Sequence, residues 1–153
     1  MEAVAALSGV AKTTIYRRYR NRNEMLTAAL ASIAAPPAPG DASELAPVVE
    51  WVVKQSYRAV NDGIGVGGVA ALLTDDNPDH TRVLRSIIQQ HRAALAGVIR
   101  DAMNNQIVLG DIDVETVIDC IVGAYLAECA RSGSVAPGWS ERVLRTMLPA
   151  LKP

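Results

Sequence analysis

The chain has 153 residues, of which 50% are hydrophobic and 20% are charged, and this length fits one domain with its own core. Its two cysteines, Cys120 and Cys129, have neither metal-binding nor redox spacing, so we interpret them as core thiols of a reducing compartment. With no recognisable signal peptide and no apolar run of the ~18 residues that a membrane span needs, the sequence predicts a cytoplasmic protein that does not enter the membrane.

The charges are divided unevenly along the chain. The first 26 residues contain five basic and two acidic side chains, a net charge of +3, whereas the remainder has a net charge of −4. Because attraction to phosphate is local and screened by salt, this asymmetry directs any contact with nucleic acid to the N-terminal end.

Apolar residues recur at helical spacing from end to end, and no run of alternating β-branched residues interrupts them, so we expect an all-α protein. The sequence predicts helices over 2–8, from about 12 to 19, over 22–35, over 44–61, over 114–131 and over 139–151. Residues 63–74 are expected to form a short or irregular helix, and DDNPD at 75–79 starts a long helix to about residue 105. The helix over 114–131 is apolar on most sides, and we expect it to be buried almost all round.

The stretch PPAPGDAS, residues 36–43, divides the chain. Its prolines and glycine stop any helix, which makes it the best domain boundary in the sequence. We therefore expect an N-terminal helical domain over residues 1–35, a proline-rich linker over 36–43, and a helical bundle over 44–153.

The two short helices before residue 20 have the features of a helix-turn-helix pair. Ala5 is small where the helices cross, Gly9 supplies a positive φ for the turn, and Val10 and Ile15 are expected to point inward. The second helix would then expose Lys12, Thr13, Thr14 and Arg17 to the ~12 Å major groove, where basic side chains read guanine and threonine meets a thymine methyl. The side chains crowded after it, Tyr16, Arg18, Arg20, Asn21 and Arg22, suit a clamp on phosphate oxygens. An exposed basic face without a partner is the alternative interpretation.

The segment VAALSGVAKTTIYRRYRNRNEML resembles the DNA-binding core of TetR-type (tetracycline-repressor-like) transcriptional regulators. The C-terminal half is similar, less specifically, to the ligand-binding half of one subgroup. The resemblance thus implies a helix-turn-helix DNA-binding domain over residues 1–35 and a helical-bundle domain for ligand binding and dimerisation over 44–153. The resemblance implies DNA recognition by a homodimer and release by a small apolar or amphipathic effector. It places Thr14, Tyr16, Arg18 and Arg22 at phosphate-contact positions and Lys12, Thr13 and Arg17 at base-facing positions.

The segment also departs from the family pattern. Ala11 stands where a serine usually caps the recognition helix, which weakens that helix start by ~1 kcal/mol. Arg20 replaces a common proline and adds charge. The first helix of the family's DNA-binding domain has no counterpart in the sequence, so the apolar sides of residues 4–15 and 25–33 are expected to lack a packing partner. Two explanations of the missing helix are open: the start of the chain has been placed too late, or the protein is a shortened product. The alternative function is a ligand-binding and dimerisation protein that lacks a complete DNA-binding head and has impaired DNA binding.

The remaining motifs favour structural roles. GIGVGG, residues 63–68, has G-x-G-x-x-G spacing but follows a helix and lacks the later acidic residue, so we interpret it as close packing or a pocket wall. His80 and His91 are ~16 Å apart along one helix and cannot share a metal. No catalytic set emerges, and the sequence predicts no enzyme, metal or cofactor.

Two further sets of residues are predicted from the C-terminal half. His91 lies on the apolar stripe of its helix, either as a hydrogen-bonded core histidine or as a polar contact in an effector cavity. The residues predicted to line that cavity, with simple core filling as the alternative, are Trp51, Tyr57, Leu72, Leu84, Ile88, His91, Leu95 and Tyr125. The last two helices would form half of a four-helix interface with a second copy. The residues predicted for that interface are Ile121, Gly123, Ala124, Ala127, Val143 and Met147.

Overall fold

All regular structure in the computed structural model is helical, as the sequence predicts, over the described residues 1–40 and 42–153. The side chain of Ser32 is outside this description, and so is Asp41 of the predicted linker. The helices are α1 (Glu2–Ser8), α2 (Lys12–Arg18), α3 (Arg22–Ala29), α4 (Ala31–Ala34), α5 (Leu45–Arg58), α6 (Gly65–Thr74), α7 (Pro78–Asn104), α8 (Val114–Ser132) and α9 (Trp139–Leu151). A π-helical segment, Ala59–Ile64, joins α5 to α6.

The turn between α1 and α2 forms as predicted at its glycine. Gly9 has φ 69° and ψ 2°, a left-handed conformation, and its N–H donates to the carbonyl of Ala5. Ala5 and Ile15 are buried between the two helices. Val10 is 42% exposed, so the expectation that it packs inward is wrong. It lies in the turn, where its N–H donates to Ser8 Oγ.

The predicted single helix over residues 22–35 is divided in two. Leu30 has φ −99° and ψ 7°, outside the helical values, and separates α3 from α4. Its side chain is buried against Leu84 and Ile87, so the break coincides with the point where α3 and α4 meet α7.

The main core lies between α5, α7, α8 and α9. Valines at helical spacing on α5, with Val48, Val52 and Val53 fully buried, meet Leu95 of α7 and Ile118 of α8. At one end of the core, the rings of Tyr57, Tyr125 and Trp139 pack with centroids 5.5 to 5.7 Å apart. A separate, smaller cluster joins α3 and α4 to α7.

The helix predicted over residues 44–61 does not end at Asn61. The backbone continues through it as the π-helical segment and breaks at Gly65, which has φ 69° and ψ 166°. Asn61 holds this wider turn, because its side-chain oxygen accepts a hydrogen bond from Tyr125 Oη at 2.9 Å. π-helical turns of this kind are frequent at functional sites.

The prediction that α8 is buried almost all round is wrong for the single chain. Its inner face packs on α5 and α7 and includes Val117, Ile118 and Tyr125. The opposite face is exposed and carries small residues, namely Cys120, Gly123, Ala124 and Ala127. Cys120 is therefore no core thiol, because it lies on the face that no other helix of the described chain covers, whereas Cys129 is half-buried.

Candidate nucleic-acid interface and ligand cavity

The basic residues at the N-terminus form one exposed surface. All eight residues predicted to contact DNA lie on α2, in the link to α3, or at the first residue of α3, and all are exposed: Lys12, Thr13, Thr14, Tyr16, Arg17, Arg18, Arg20 and Arg22. Helix α2 has seven residues, ~10 Å at 1.5 Å per residue, and only Ile15 is buried. A helix of this size has one anchored side and a free surface on the rest of its circumference.

One of the predicted base-facing groups is paired within the chain. Lys12 Nζ lies 2.6 Å from Glu2 Oε1 of α1. Both side chains are more than half exposed, so solvent and salt screen the attraction and the pair is weak. A polyanion would therefore compete for Lys12 at little cost, and Glu2 reduces the positive field of α2 in its absence.

The link between α2 and α3 is fixed by a capping arrangement that the sequence analysis missed. Asn21 Oδ1 accepts a hydrogen bond from the N–H of Glu24 at 2.9 Å, and Glu24 Oε2 accepts one from the N–H of Arg20 at 2.7 Å. The N-x-x-E spacing was the available signal, since it matches a capping box. These bonds hold Arg20 and Arg22 on either side of the α3 start. The start of α2 has no such support, because Ala11 makes no side-chain cap bond.

An apolar cavity of about 150 Å³ lies between α4, α5, the π-helical segment, α6, α7 and α8. Four of the residues predicted for a ligand pocket line it, namely Leu72, Ile88, His91 and Leu95. The cavity also has Ser56 of α5, Arg92 of α7 and Ile33 of α4 in its wall. The sequence did not predict these three residues for the ligand cavity. Ser56 was detectable in principle, because it continues the buried Val49, Val52 and Val53 stripe at helical spacing.

The other four predicted pocket residues lie elsewhere. Trp51 Nε1 donates to the carbonyl of Pro37 at 3.2 Å, which turns the indole towards the linker. Leu84 is buried in the cluster beneath α3 and α4. Tyr57 and Tyr125 pack against each other and against Trp139, and neither lines the cavity.

His91 connects the cavity to the N-terminal half. Its Nδ1 lies 2.7 Å from the carbonyl oxygen of Ile33, and because a carbonyl only accepts, Nδ1 carries the proton. Burial lowers the pKa of His91 below 6.5 and the charge of Arg92 lowers it further, although the carbonyls of Ile33 and Gln55 oppose the shift. The neutral ring therefore leaves Nε2 as an acceptor, and Nε2 makes no hydrogen bond with any described residue.

Arg92, the neighbour of His91, closes one side of the cavity wall. Its guanidinium contacts Glu115 Oε2 at 2.7 Å and Asp119 Oδ1 at 2.6 Å, both on α8. Glu115 Oε1 also lies 3.5 Å from Nη2 of Arg100. Two carboxylates therefore balance two guanidinium groups, and this side of the cavity has no net positive charge to offer an anion.

The predicted interface residues are divided between surface and core. Gly123, Ala124 and Ala127 are exposed on α8, and Val143 and Met147 are half-buried on α9. Ile121 is 0% exposed and packs in the main core, so it cannot contact a second copy and its assignment to the interface is wrong. It lies on the inner face of α8, which an apolar helix alone does not distinguish from an outer one.

Comparisons with known proteins add no assignment to this geometry. No family model, curated protein or solved structure matches the chain. In the part of the chain that the structure describes, the helices fall short of the length and apolarity needed to cross a membrane. Over the same residues, His, Cys, Asp and Glu side chains do not gather into a group that could hold a metal ion.

Proposed function

We propose that this chain is a DNA-binding transcriptional regulator, a repressor of the TetR type, which binds operator DNA as a homodimer and is released by a small-molecule effector. The exposed basic surface of α2 and the α3 start supports DNA binding, because Lys and Arg at a helix of this size suit the major groove and its flanking phosphates. The small-residue face of α8 supports pairing, since small side chains permit close helix approach and a two-fold dimer matches two half-sites.

The observation that carries the proposal is the hydrogen bond between His91 Nδ1 and the carbonyl of Ile33. Ile33 belongs to α4, which follows α3 after the single non-helical residue Leu30, and α3 begins at the basic surface. The same two side chains line the cavity. An effector that prefers a different position of α4 would shift the population towards dimers whose α2 helices no longer match the groove spacing.

Selection from a random library of double-stranded DNA tests the DNA-binding part, because the operator is unknown. We expect enrichment of a two-fold symmetric sequence with half-sites one helical turn apart or a multiple of it. Enrichment of no sequence by the folded protein would refute DNA recognition.

The salt dependence of binding to the selected sequence tests the phosphate clamp. Arg22→Ala should weaken binding to all sequences and reduce the slope of log K against log salt by about one unit. The control is Arg145→Ala, which removes the same charge from the exposed surface of α9. Equal slopes in the two variants would remove Arg22 from the clamp. Arg17→Ala should in addition relax base preference, by about 1–3 kcal/mol of discrimination.

A second candidate function is a ligand-binding and dimerisation protein that does not recognise DNA. It is favoured by the incomplete packing of the N-terminal helices, where Leu7 is 90% exposed and Val4 borders an open cleft of about 670 Å³ with Met25 and Leu26. Uncovered apolar side chains of this kind hold the basic surface less rigidly. This candidate predicts ligand binding by a protein that enriches no DNA sequence in the same selection.

A further inference from the structure

Two residues that line the cavity each have a polar atom without a hydrogen-bond partner among the described residues. The atoms are Oγ of Ser56 and Nε2 of His91, on side chains that are 2% and 6% exposed. Buried polar atoms are almost always paired, so each unpaired one calls for an explanation such as a ligand or a bound water. Both residues line the same cavity, and the other side chains around it are mostly apolar.

The chemistry of these two atoms restricts what the cavity would bind. Nε2 of neutral His91 accepts and cannot donate, so its partner must bring an O–H or N–H group. Ser56 Oγ both donates and accepts. Arg92 is held by Glu115 and Asp119, so its guanidinium is not available to neutralise a carboxylate ligand. The complementary molecule is therefore neutral and carries a hydrogen-bond donor.

The size of the cavity restricts the molecule further. A volume of about 150 Å³ is that of an engineered apolar cavity in another protein that binds benzene. A single six-membered ring fills such a space, and fused-ring compounds are too large. The apolar walls favour the ring, and the two unpaired atoms favour a polar substituent on it.

We propose that the cavity binds a small neutral hydroxylated ring compound, of which phenol is the simplest, with its hydroxyl donating to Nε2 of His91 and with Ser56 Oγ as a second polar contact. The statement that this compound is the effector rests on the proposed function, whereas the statement that the cavity binds it does not. Ordered water at the two atoms is the competing occupant.

Calorimetric titration of the full chain with phenol, benzene and benzoate tests the inference. We expect phenol to bind about five- to tenfold more tightly than benzene, the gain of one net hydrogen bond, and benzoate to bind more weakly than phenol. Equal affinities for phenol and benzene, tighter binding of benzoate, or no binding of either neutral ring would each overturn it, the last leaving water as the occupant.

Two substitutions at the same position separate the acceptor from the fold. His91→Asn keeps a donor near the Ile33 carbonyl but removes the acceptor at the Nε2 position, so the phenol preference should disappear. His91→Gln places an amide oxygen, which is an acceptor, near the position of Nε2, so it should retain part of the phenol preference. The control Ser86→Ala changes an exposed α7 serine and should leave both affinities unchanged. A full phenol preference in folded His91→Asn protein, as judged by its helical circular dichroism, would refute the role of Nε2.

The selected DNA sequence distinguishes a failure of this inference from a failure of the proposed function. Release of DNA by phenol supports both. Phenol binding without any change in DNA affinity supports the cavity assignment and contradicts effector release. DNA binding by a protein that does not bind phenol supports the regulator and contradicts the ligand class.

Discussion

Ser56→Ala is expected to stabilise the protein in the absence of ligand. The Ser56 hydroxyl is buried without a partner among the described residues, and such a group costs ~1–3 kcal/mol of desolvation. Removing one oxygen beside an existing cavity adds little new empty volume. The higher helix propensity of alanine adds about half a kcal/mol to the gain.

The expected net gain is about 1 kcal/mol after the propensity term is subtracted, or an increase in Tm of about 2–4 °C for a chain of this length. Ser86→Ala on the exposed side of α7 is the control for this propensity term, because it gains the same helix propensity at a site outside the core. The assay is thermal unfolding of the three proteins by calorimetry at neutral pH.

Bound ligand should reduce the difference in Tm between Ser56→Ala and the wild type. Saturating phenol should raise the Tm of the wild type more than that of Ser56→Ala, because a ligand stabilises by its affinity for the folded state. If Ser56→Ala instead lowers the Tm by several degrees relative to Ser86→Ala, the hydroxyl is satisfied, by water for example, and the argument from an unpaired group fails.

Three other variants test separate parts of the structure. Ala11→Ser should stabilise by ~1 kcal/mol in urea unfolding, because it supplies the missing cap of α2; no gain would show that the helix start is not frayed. Burial lowers the pKa of His91 below 6.5, so the unfolded state binds the proton first and stability should fall as pH decreases below 6.5. The difference between the urea midpoints at about pH 7.5 and about pH 5 should therefore be smaller in His91→Gln than in the wild type. The difference that remains includes the contribution of His80, whose pKa is also lowered by burial. Ala124→Arg on the exposed face of α8 should convert a dimer to a monomer in light scattering, whereas Ala70→Arg on exposed α6 should not; an unchanged mass for Ala124→Arg would place any interface elsewhere.

Sequence patterns predicted the helices well because their signals are local. Gly9 takes the positive φ expected of it, and Asn77 caps α7 one residue before its proline, close to the predicted start. The division at Leu30 was not predictable in this way, since it occurs within a run of good helix formers. The π-helical segment Ala59–Ile64 was not predictable either, because Asn, Asp and Gly favour the end of a helix rather than a wider helical turn. They coincide with tertiary contacts, to α7 and to Tyr125 respectively.

The cavity was harder to predict than the helices. Helical periodicity identifies which residues point inward, as it did for Ile88 and Leu95, but it does not reveal which inward residues border a gap. Tyr57 and Tyr125 point inward too, and they fill space by packing against Trp139. The spacing of Ser56 on the buried stripe of α5 indicates that it points inward, but it does not indicate that the side chain borders a cavity without a hydrogen-bond partner.

The two faces of α8 give this helix a consequence for cooperativity. Ile118 and Val122 line the cavity on one side, and Gly123, Ala124 and Ala127 are exposed on the other. In a dimer that pairs the exposed faces, a single helix thickness of ~10 Å separates each cavity from the partner copy. A molecule that repositions α8 would change the surface on which the partner's α8 rests. The two cavities would then communicate, and ligand titration of such a dimer would give a Hill coefficient different from one.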